Sequence, residues 1–331
     1  MLPSFWAGEA LFAALQGGRD LLHLAALWST AAAMVVVVGW AFERWHFDGF
    51  SKAQEARKAR FTQWRWLDRA AGMLPLSTVR KHLLIKDLKV FLRDVSQWSQ
   101  LLLLVALMLV YLYNFRVLDL DRMPYMSGFL KNVYAFLNLA MASFVMSTVT
   151  VRFVFPAVSA EGAAFWIIRT APISLRDFLW SKFWTGLVPI LVLTESLIIA
   201  GNELLGVDPF LKRMSAVAIV FMAFALVGLG TGLGARYPRF ASDNPSQVAG
   251  SYGGVAFMIL AVLFVLVVIA LLGWPSSLYL FSQLRDRPLT GVQQVLIGVS
   301  FTSAALLSIA TWLLGMRTGV RALQDMDRTP A

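Results

Sequence analysis

The chain has 331 residues, of which 58% are hydrophobic and 15% are charged, and its formal net charge is +10. Soluble domains carry roughly 45–50% apolar and about 25% charged residues, so this composition indicates membrane-spanning segments rather than a large soluble core. Because the chain has no cysteine, disulfides, iron–sulfur clusters and thiolate zinc sites are excluded.

Seven apolar runs follow one another along the chain. They carry no charged residue except for Glu195 in the fourth run. Each is near the length of about 20 residues that a helix needs to cross a bilayer with its backbone hydrogen bonds satisfied internally. The sequence therefore predicts an all-α integral membrane protein with about seven transmembrane helices. The predicted spans are 22–42, 95–115, 132–151, 183–202, 214–235, 255–274 and 295–316.

The positive charges predict an orientation. Of the 29 Lys and Arg residues, 21 fall in the segments between alternate spans and after the last one, which are 43–94, 152–182, 236–239 and 317–328. Because Lys and Arg are in excess in cytoplasmic loops, we expect an internal C-terminus and an external N-terminus. An external start ahead of one extra span leaves two interpretations open: a later part of a longer protein, or a seven-span chain.

The long segment before the second span has two parts. Residues 51–69 alternate basic residues with Trp and Phe, which is typical of a helix in the headgroup layer and favours contact with membrane lipids. Nucleic-acid binding would use the same residue types, but the spans already require such an anchor. Residues 78–98 predict an amphipathic helix that leads into the second span, with an apolar stripe of Leu84, Leu88, Phe91, Val95 and Trp98.

The loop between the third and fourth spans predicts a short helix with sharp ends. Pro156 is expected to stop the preceding span, and Ser159 to cap a short helix with Glu161 in its first turn. Pro172 ends that helix. Ser174 and Asp177 then form a capping box that starts the next span.

Trp166 and Ile167 are more apolar than is usual for a loop exposed to solvent. We expect them either to lie against the membrane surface or to fill a cleft in a partner protein.

Polar and glycine positions inside the spans indicate two further features. Glu195 is the one ionisable residue well inside a span, and we expect it either to line a transport pathway or to pair with Asn138 or a serine of the third span. Alternating glycines at the end of the fifth span predict close helix packing. These glycines are Gly228, Gly230, Gly232 and Gly234.

Two loops between later spans carry weaker signals. Asn244-Pro245 predicts a turn after the fifth span. Residues 273–294, which contain Pro275 and Pro288, are expected to form an external loop with a short re-entrant or surface helix.

Several catalytic patterns are absent from the sequence. It contains no Gly-x-x-x-x-Gly-Lys-Ser/Thr phosphate loop, no His-Glu-x-x-His and no Gly-x-Ser-x-Gly, and its three histidines lie in separate segments. We therefore expect no enzyme activity, no metal site and no bound cofactor in this chain.

Three stretches resemble a known family. They are IKDLKVFLRDVSQWSQ (85–100), FPAVSAEGAAFWIIRTAPISLRDFLWSK (155–182) and GARYPRFASDNP (234–245). They are similar to permease subunits of ABC exporters of the ABC-2 type, in a bacterial group of such exporters whose members tend to be longer at the N-terminus.

The resemblance implies a division of the chain. Residues 1–42 would be an N-terminal segment with one span, 43–94 a cytoplasmic segment with a connecting helix, 95–316 a six-helix transport domain, and 317–331 a cytoplasmic tail. The connecting helix would carry Lys86, Lys89, Arg93 and Asp94. The coupling loop 152–182 would dock on an ATPase through Glu161, Gly162, Phe165, Trp166, Arg169 and Pro172.

The resemblance also implies partners and a mechanism. A separate ABC ATPase subunit would bind ATP and magnesium, and a second copy or a homologous permease would complete a dimer. Export would proceed by alternating access. A secondary transporter or channel that uses Glu195 as an ion or proton site remains the alternative, and an embedded enzyme or an assembly or signalling protein are further classes.

Overall fold

The computed structural model describes residues 3–55, 78–93, 95–117, 127–242, 244–284 and 288–328. The chain divides into two compact units, Met1–Arg65 and Trp66–Ala331. Throughout the described ranges the regular structure is helical, without β-strands.

The first unit contains α1 (Pro3–Leu15) and α2 (Leu21–Glu55). Helix α1 was not predicted from the sequence. Asp20 caps α2, since its Oδ1 accepts a hydrogen bond from the His23 backbone N–H at 3.1 Å. The hydrogen bond of its Oδ2 with the His23 ring, at 2.6 Å, lowers the pKa of Asp20.

The second unit holds the remaining described helices. These are α3 (Thr78–Arg93), α4 (Val95–Val117), α5 (Ser127–Val149), α6 (Phe165–Thr170), α7 (Leu175–Leu204), α8 (Pro209–Arg236), α9 (Pro245–Ala249), α10 (Tyr252–Leu284) and α11 (Gly291–Arg328). Helix α8 is central, because it packs against α5, α7, α10 and α11. Its fully buried residues include Ile219, Met222, Ala223 and Leu226.

Six helical stretches of the described chain are long and apolar enough to cross a membrane. The chain is therefore a multi-pass, all-α membrane protein. The second predicted span coincides with α4, whose described apolar part, Gln100–Tyr113, is shorter. The six stretches are Leu21–Gly49, Val133–Thr170, Leu175–Leu204, Pro209–Arg236, Tyr252–Ser282 and Gly291–Met326.

The helix of the third predicted span does not end at Pro156, although the sequence predicted that it would. Helix α5 widens into a π-helical turn at Thr150–Val154 and then tightens into 3₁₀ turns at Phe155–Ala157 and Ser159–Ala164. Proline is tolerated near the start of a 3₁₀ turn because the N–H it lacks needs no helical partner there. The helix thus changes its winding instead of ending.

In two places a helix continues beyond the predicted span. Helix α10 runs through Pro275 to Leu284, where an external loop with a short re-entrant or surface helix was expected. Helix α11 continues through the predicted tail to Arg328, and Leu323 within that tail is buried. The length of an apolar run predicts where a span lies, but a helix is able to continue past the end of that run.

Candidate functional site

The three stretches that carry the family resemblance meet in the second unit. Helix α3 packs against α7. The 3₁₀ turn at Ser159–Ala164 contacts the segment after α8, where Ser159 Oγ accepts a hydrogen bond from the Arg239 backbone N–H at 3.0 Å. Ser159 therefore does not cap the following helix as predicted, because its hydroxyl is used across the loop pair.

A buried charge cluster joins these elements. It consists of Lys86 and Asp87 of α3, Glu161 of the 3₁₀ turn and Lys182 of α7. Lys86 Nζ donates to Glu161 Oε1 at 2.6 Å and Oε2 at 2.7 Å. Lys182 Nζ donates to Glu161 Oε1 at 2.6 Å and to Asp87 Oδ1 at 2.7 Å. Two cations and two carboxylates therefore balance each other.

Burial makes the charge cluster sensitive to the loss of any member. The side chains of Asp87, Glu161 and Lys182 are 9%, 11% and 7% exposed, whereas Lys86 reaches solvent. Asp87 Oδ2 has no hydrogen-bond partner in the described part of the chain. Removing one partner from such a buried pair typically costs about 3–5 kcal/mol, because the other charge is left uncompensated.

Helix α6 is held by its inward face. Phe165 stacks on Phe240 with ring centroids 4.6 Å apart, and it also packs against Phe178 of α7. Ile168, three residues later on the same face, is buried. Arg169 Nη2 donates to the Met326 carbonyl oxygen of α11 at 3.2 Å, so α6 is also tied to the end of the chain's last helix.

The outward face of α6 is apolar and uncovered. Trp166 is 64% exposed and Ile167 is 51% exposed. The helix ends at Thr170, and Ala171 before Pro172 is extended, as the sequence predicted. The predicted cap of α7 is also confirmed, since Ser174 Oγ accepts from the Asp177 backbone N–H at 3.0 Å.

The six predicted docking residues lie in different surroundings. Trp166 and Pro172 are exposed, whereas Phe165 is buried and Glu161 belongs to the charge cluster. Gly162 makes a bend within the Ser159–Ala164 segment, just before α6, with φ +53° and ψ −140°, a conformation that essentially only glycine adopts. Arg169 is exposed but bonded to α11.

The predicted connecting helix is partly described. Leu83 and Ile85 are its buried apolar residues, and Leu84, Leu88 and Phe91 of the predicted stripe are half-buried. Lys86 lies in the charge cluster, and Lys89 is half-buried. The side chains of Arg93, Asp94, Val95 and Trp98, and all of the predicted interfacial residues 56–69, lie outside the described part.

One interpretation of the sequence paired Glu195 with Asn138, but the side chain of Asn138 bonds to other residues. Asn138 Nδ2 donates to Asn202 Oδ1 at 3.2 Å, and Asn202 Nδ2 donates to Ser215 Oγ at 2.7 Å. Tyr111 Oη donates to Asn138 Oδ1 at 3.3 Å. This chain of hydrogen bonds links α4, α5, α7 and α8, and the roles of Glu195 and Asn138 in transport remain predictions.

The four glycines at the end of α8 lie at close helix contacts on two sides. A Cβ at Gly228 or Gly232 would overlap Trp312 or Gly315 of α11. A Cβ at Gly230 would meet Thr150, and one at Gly234 would overlap the Phe155 carbonyl oxygen. Close approach of α8 to α11 and to the rewound end of α5 therefore depends on these positions.

Sequence reasoning missed two members of the charge cluster, Asp87 and Lys182. Both lie in the stretches that resemble the family, but nothing in the one-dimensional pattern pairs residues so far apart in the chain. Among the described residues, no group of His, Asp and Glu is arranged to hold a metal ion.

Comparison with known families assigns the chain to one protein family. A family model described as "Putative ATP-binding cassette" matches residues 1–328. The chain belongs to this family. No curated protein and no solved structure matches it. Membership of this ATP-binding cassette family confirms the resemblance at its coarser level, and the match includes the first unit as well as the residues around α6.

Proposed function

We propose that this chain is the membrane-spanning permease subunit of an ATP-driven exporter, powered by a separate ATPase subunit that docks on α6. The observation that carries the proposal is the construction of α6. Its inner face is fixed by Phe165 and Ile168, and Arg169 bonds it to α11, whereas Trp166 and Ile167 are exposed. Exposed aromatic and aliphatic side chains on a rigid support are typical anchors of a protein interface.

The family and the sequence together favour a transport subunit over an ATPase. The family description names an ATP-binding cassette, but this chain carries no phosphate loop and consists largely of helices that are able to span a membrane. ATP and magnesium would then be bound by the partner.

The charge cluster supports a path for force from α6 into the membrane. Glu161 lies just before α6 in the same loop, so a pull on α6 acts on it, and its carboxylate is bonded to both α3 and α7. Helix α7 continues from Lys182 across an apolar span to Asn202, which is bonded to α5 and α8. Alternating access requires such coupled movement of several helices.

The proposal includes finer features of topology and assembly. Helix α4 serves as the seventh span, the α6 end of the second unit faces the cytoplasm of a bacterial inner membrane, and the N-terminus is external. Two permease domains, identical or homologous, stand over two ATPase domains. The excess of Lys and Arg in the segments on the α6 side supports this orientation.

Co-purification tests the docking surface. The tagged full-length chain is purified from its native membranes, and proteins with a phosphate loop are quantified in the eluate. Trp166→Ala combined with Ile167→Ser is expected to lower recovery of the ATPase at least about tenfold, because interface tryptophans commonly contribute a large share of binding.

Trp28→Ala is the matched control, since Trp28 is an exposed tryptophan on α2. It should leave recovery of the ATPase unchanged. Equal recovery with the double variant and the wild type, or absence of any phosphate-loop protein from the wild-type eluate, contradicts the proposal.

A further inference from the structure

A groove of about 330 Å³ lies between α8, α10 and α11 in the second unit. Its lining is apolar and includes Val217 and Phe221 of α8, Leu272 of α10 and Ala305 of α11. Val217 is more than half exposed, so the groove opens sideways from the helix bundle. In a membrane such an opening faces lipid hydrocarbon, and an empty apolar groove would forfeit packing contacts.

The groove has the length of one membrane leaflet. On α8 its lining extends from Phe210 to Phe221, and about eleven residues at 1.5 Å rise span roughly 16 Å. Half of a hydrocarbon core of about 30 Å is about 15 Å. Aromatic rings mark one end, where Phe210 packs on Tyr279 with centroids 4.2 Å apart. Aromatic side chains favour the boundary between hydrocarbon and headgroups.

A cation lies at the same end of the groove. Arg213 is exposed and is the charged residue of the described lining. Of the neighbouring charged residues, Lys212 pairs with Glu203 at 2.8 Å, and Asp208 caps α8 by accepting from the Phe210 backbone N–H. Arg213 Nε donates to the Pro209 carbonyl oxygen at 3.2 Å, and within the described residues its two terminal amino groups remain available to a ligand. A planar guanidinium suits a phosphate.

We propose that this groove is a binding site for an anionic glycerophospholipid, with one acyl chain along α8 and the headgroup phosphate at Arg213. Apolar length, lateral opening and a cation at the headgroup end are all features that such a lipid complements. Arg213 lies one helical turn after Pro209, where α8 begins, so its long side chain reaches the headgroup layer. The site does not depend on the proposed exporter function.

Native mass spectrometry of the delipidated full-length protein tests the site. Phosphatidylglycerol and phosphatidylcholine are titrated separately, and glycerol 3-phosphate serves as the headgroup without chains. The wild type is expected to bind phosphatidylglycerol about fivefold more tightly than phosphatidylcholine. Arg213→Gln should abolish that preference, and Ala305→Phe, which fills the groove, should weaken binding of both lipids about tenfold.

Arg317→Gln is the charge-matched control, because Arg317 is exposed on α11 but does not line the groove. It should keep the wild-type preference. The proposal is overturned if Arg213→Gln keeps that preference, if Arg317→Gln abolishes it equally, or if glycerol 3-phosphate binds as tightly as the lipid. Arg213→Gln changes an exposed side chain, so the test stands even where Ala305→Phe fails to fold.

Discussion

Lys182 places a positive charge at the base of an apolar helix, and its burial depends on two carboxylates from other elements. Asp87 and Glu161 lie 2.7 and 2.6 Å from its Nζ. A lysine is rarely buried without such partners, because desolvation of the charge is costly. The residue therefore fixes the relative position of α3, the 3₁₀ turn and α7.

Lys182→Met is expected to destabilise the protein by about 3–5 kcal/mol, since it removes the short ion pair of the buried Asp87 and leaves Lys86 to balance both carboxylates. Thermal unfolding of the detergent-solubilised protein should show a Tm lowered by at least about 5 °C. Lys86→Met should have a smaller effect, because Lys86 is more exposed and Glu161 keeps Lys182.

Lys212→Met provides the comparison for this series. Its partner Glu203 is exposed, and exposed pairs contribute about 0–1 kcal/mol. A Tm for Lys182→Met equal to that of Lys212→Met would show that the charge cluster does not hold the elements together.

A substitution at Gly162 tests whether the bend before α6 contributes to stability. Its backbone lies at φ +53°, where a side chain is strained although space is open, since the nearest atom to an added Cβ is 3.7 Å away. Gly162→Ala should therefore lower stability by about 1–3 kcal/mol through strain rather than overlap. An unchanged Tm would mean that the segment tolerates another conformation.

At the scale of elements, the contact between α8 and α11 depends on glycine. Gly232→Ala should separate these helices, because its Cβ would overlap the Gly315 carbonyl oxygen. We expect a clearly lowered Tm and reduced yield of folded protein. Gly298→Ala on α11 is the matched control, since no atom lies within 4 Å of an added Cβ there. It should be neutral or slightly stabilising, and equal effects of both substitutions would refute the packing role.

Sequence periodicity located the helices well and their ends less well. Apolar runs identify α2, α5, α7, α8, α10 and α11, because membrane insertion requires long uncharged segments. The ends depend on packing that no local pattern records. Pro275 lies within α10, and the predicted tail is helical because Leu323 packs into the core and Met326 accepts a bond from Arg169.

The candidate site was likewise predictable in part. Trp166 was predicted as a site residue because a large apolar side chain is unusual in a loop with charged residues. The helix end before Pro172 and the helix cap at Ser174 follow local sequence rules. The role of Glu161 within the charge cluster was not predictable, since its partners are 75 and 21 residues away in the chain. Local sequence rules predict where helices lie, whereas ion pairs between residues distant in the chain are identified only from the three-dimensional structure.

At the scale of the whole molecule, the absence of cysteine from the sequence allows a direct test of orientation. Single cysteines at the exposed positions Ala163 and Glu203 are treated with a membrane-impermeant maleimide in intact cells and in inverted membrane vesicles. We expect Glu203→Cys to be labelled in cells and Ala163→Cys in vesicles. The reverse pattern would place α6 outside, where no ATPase is able to reach it.

The most direct test of the central claim is site-specific photo-crosslinking from α6 in native membranes. A photoreactive amino acid replaces Ile167, which is exposed on the outward face, and another replaces Leu306, an exposed apolar residue of α11. The account predicts that position 167 crosslinks to a protein that carries a phosphate loop, and that position 306 does not. Crosslinking from position 167 to lipid alone would contradict the account and would assign Trp166 and Ile167 to the membrane surface.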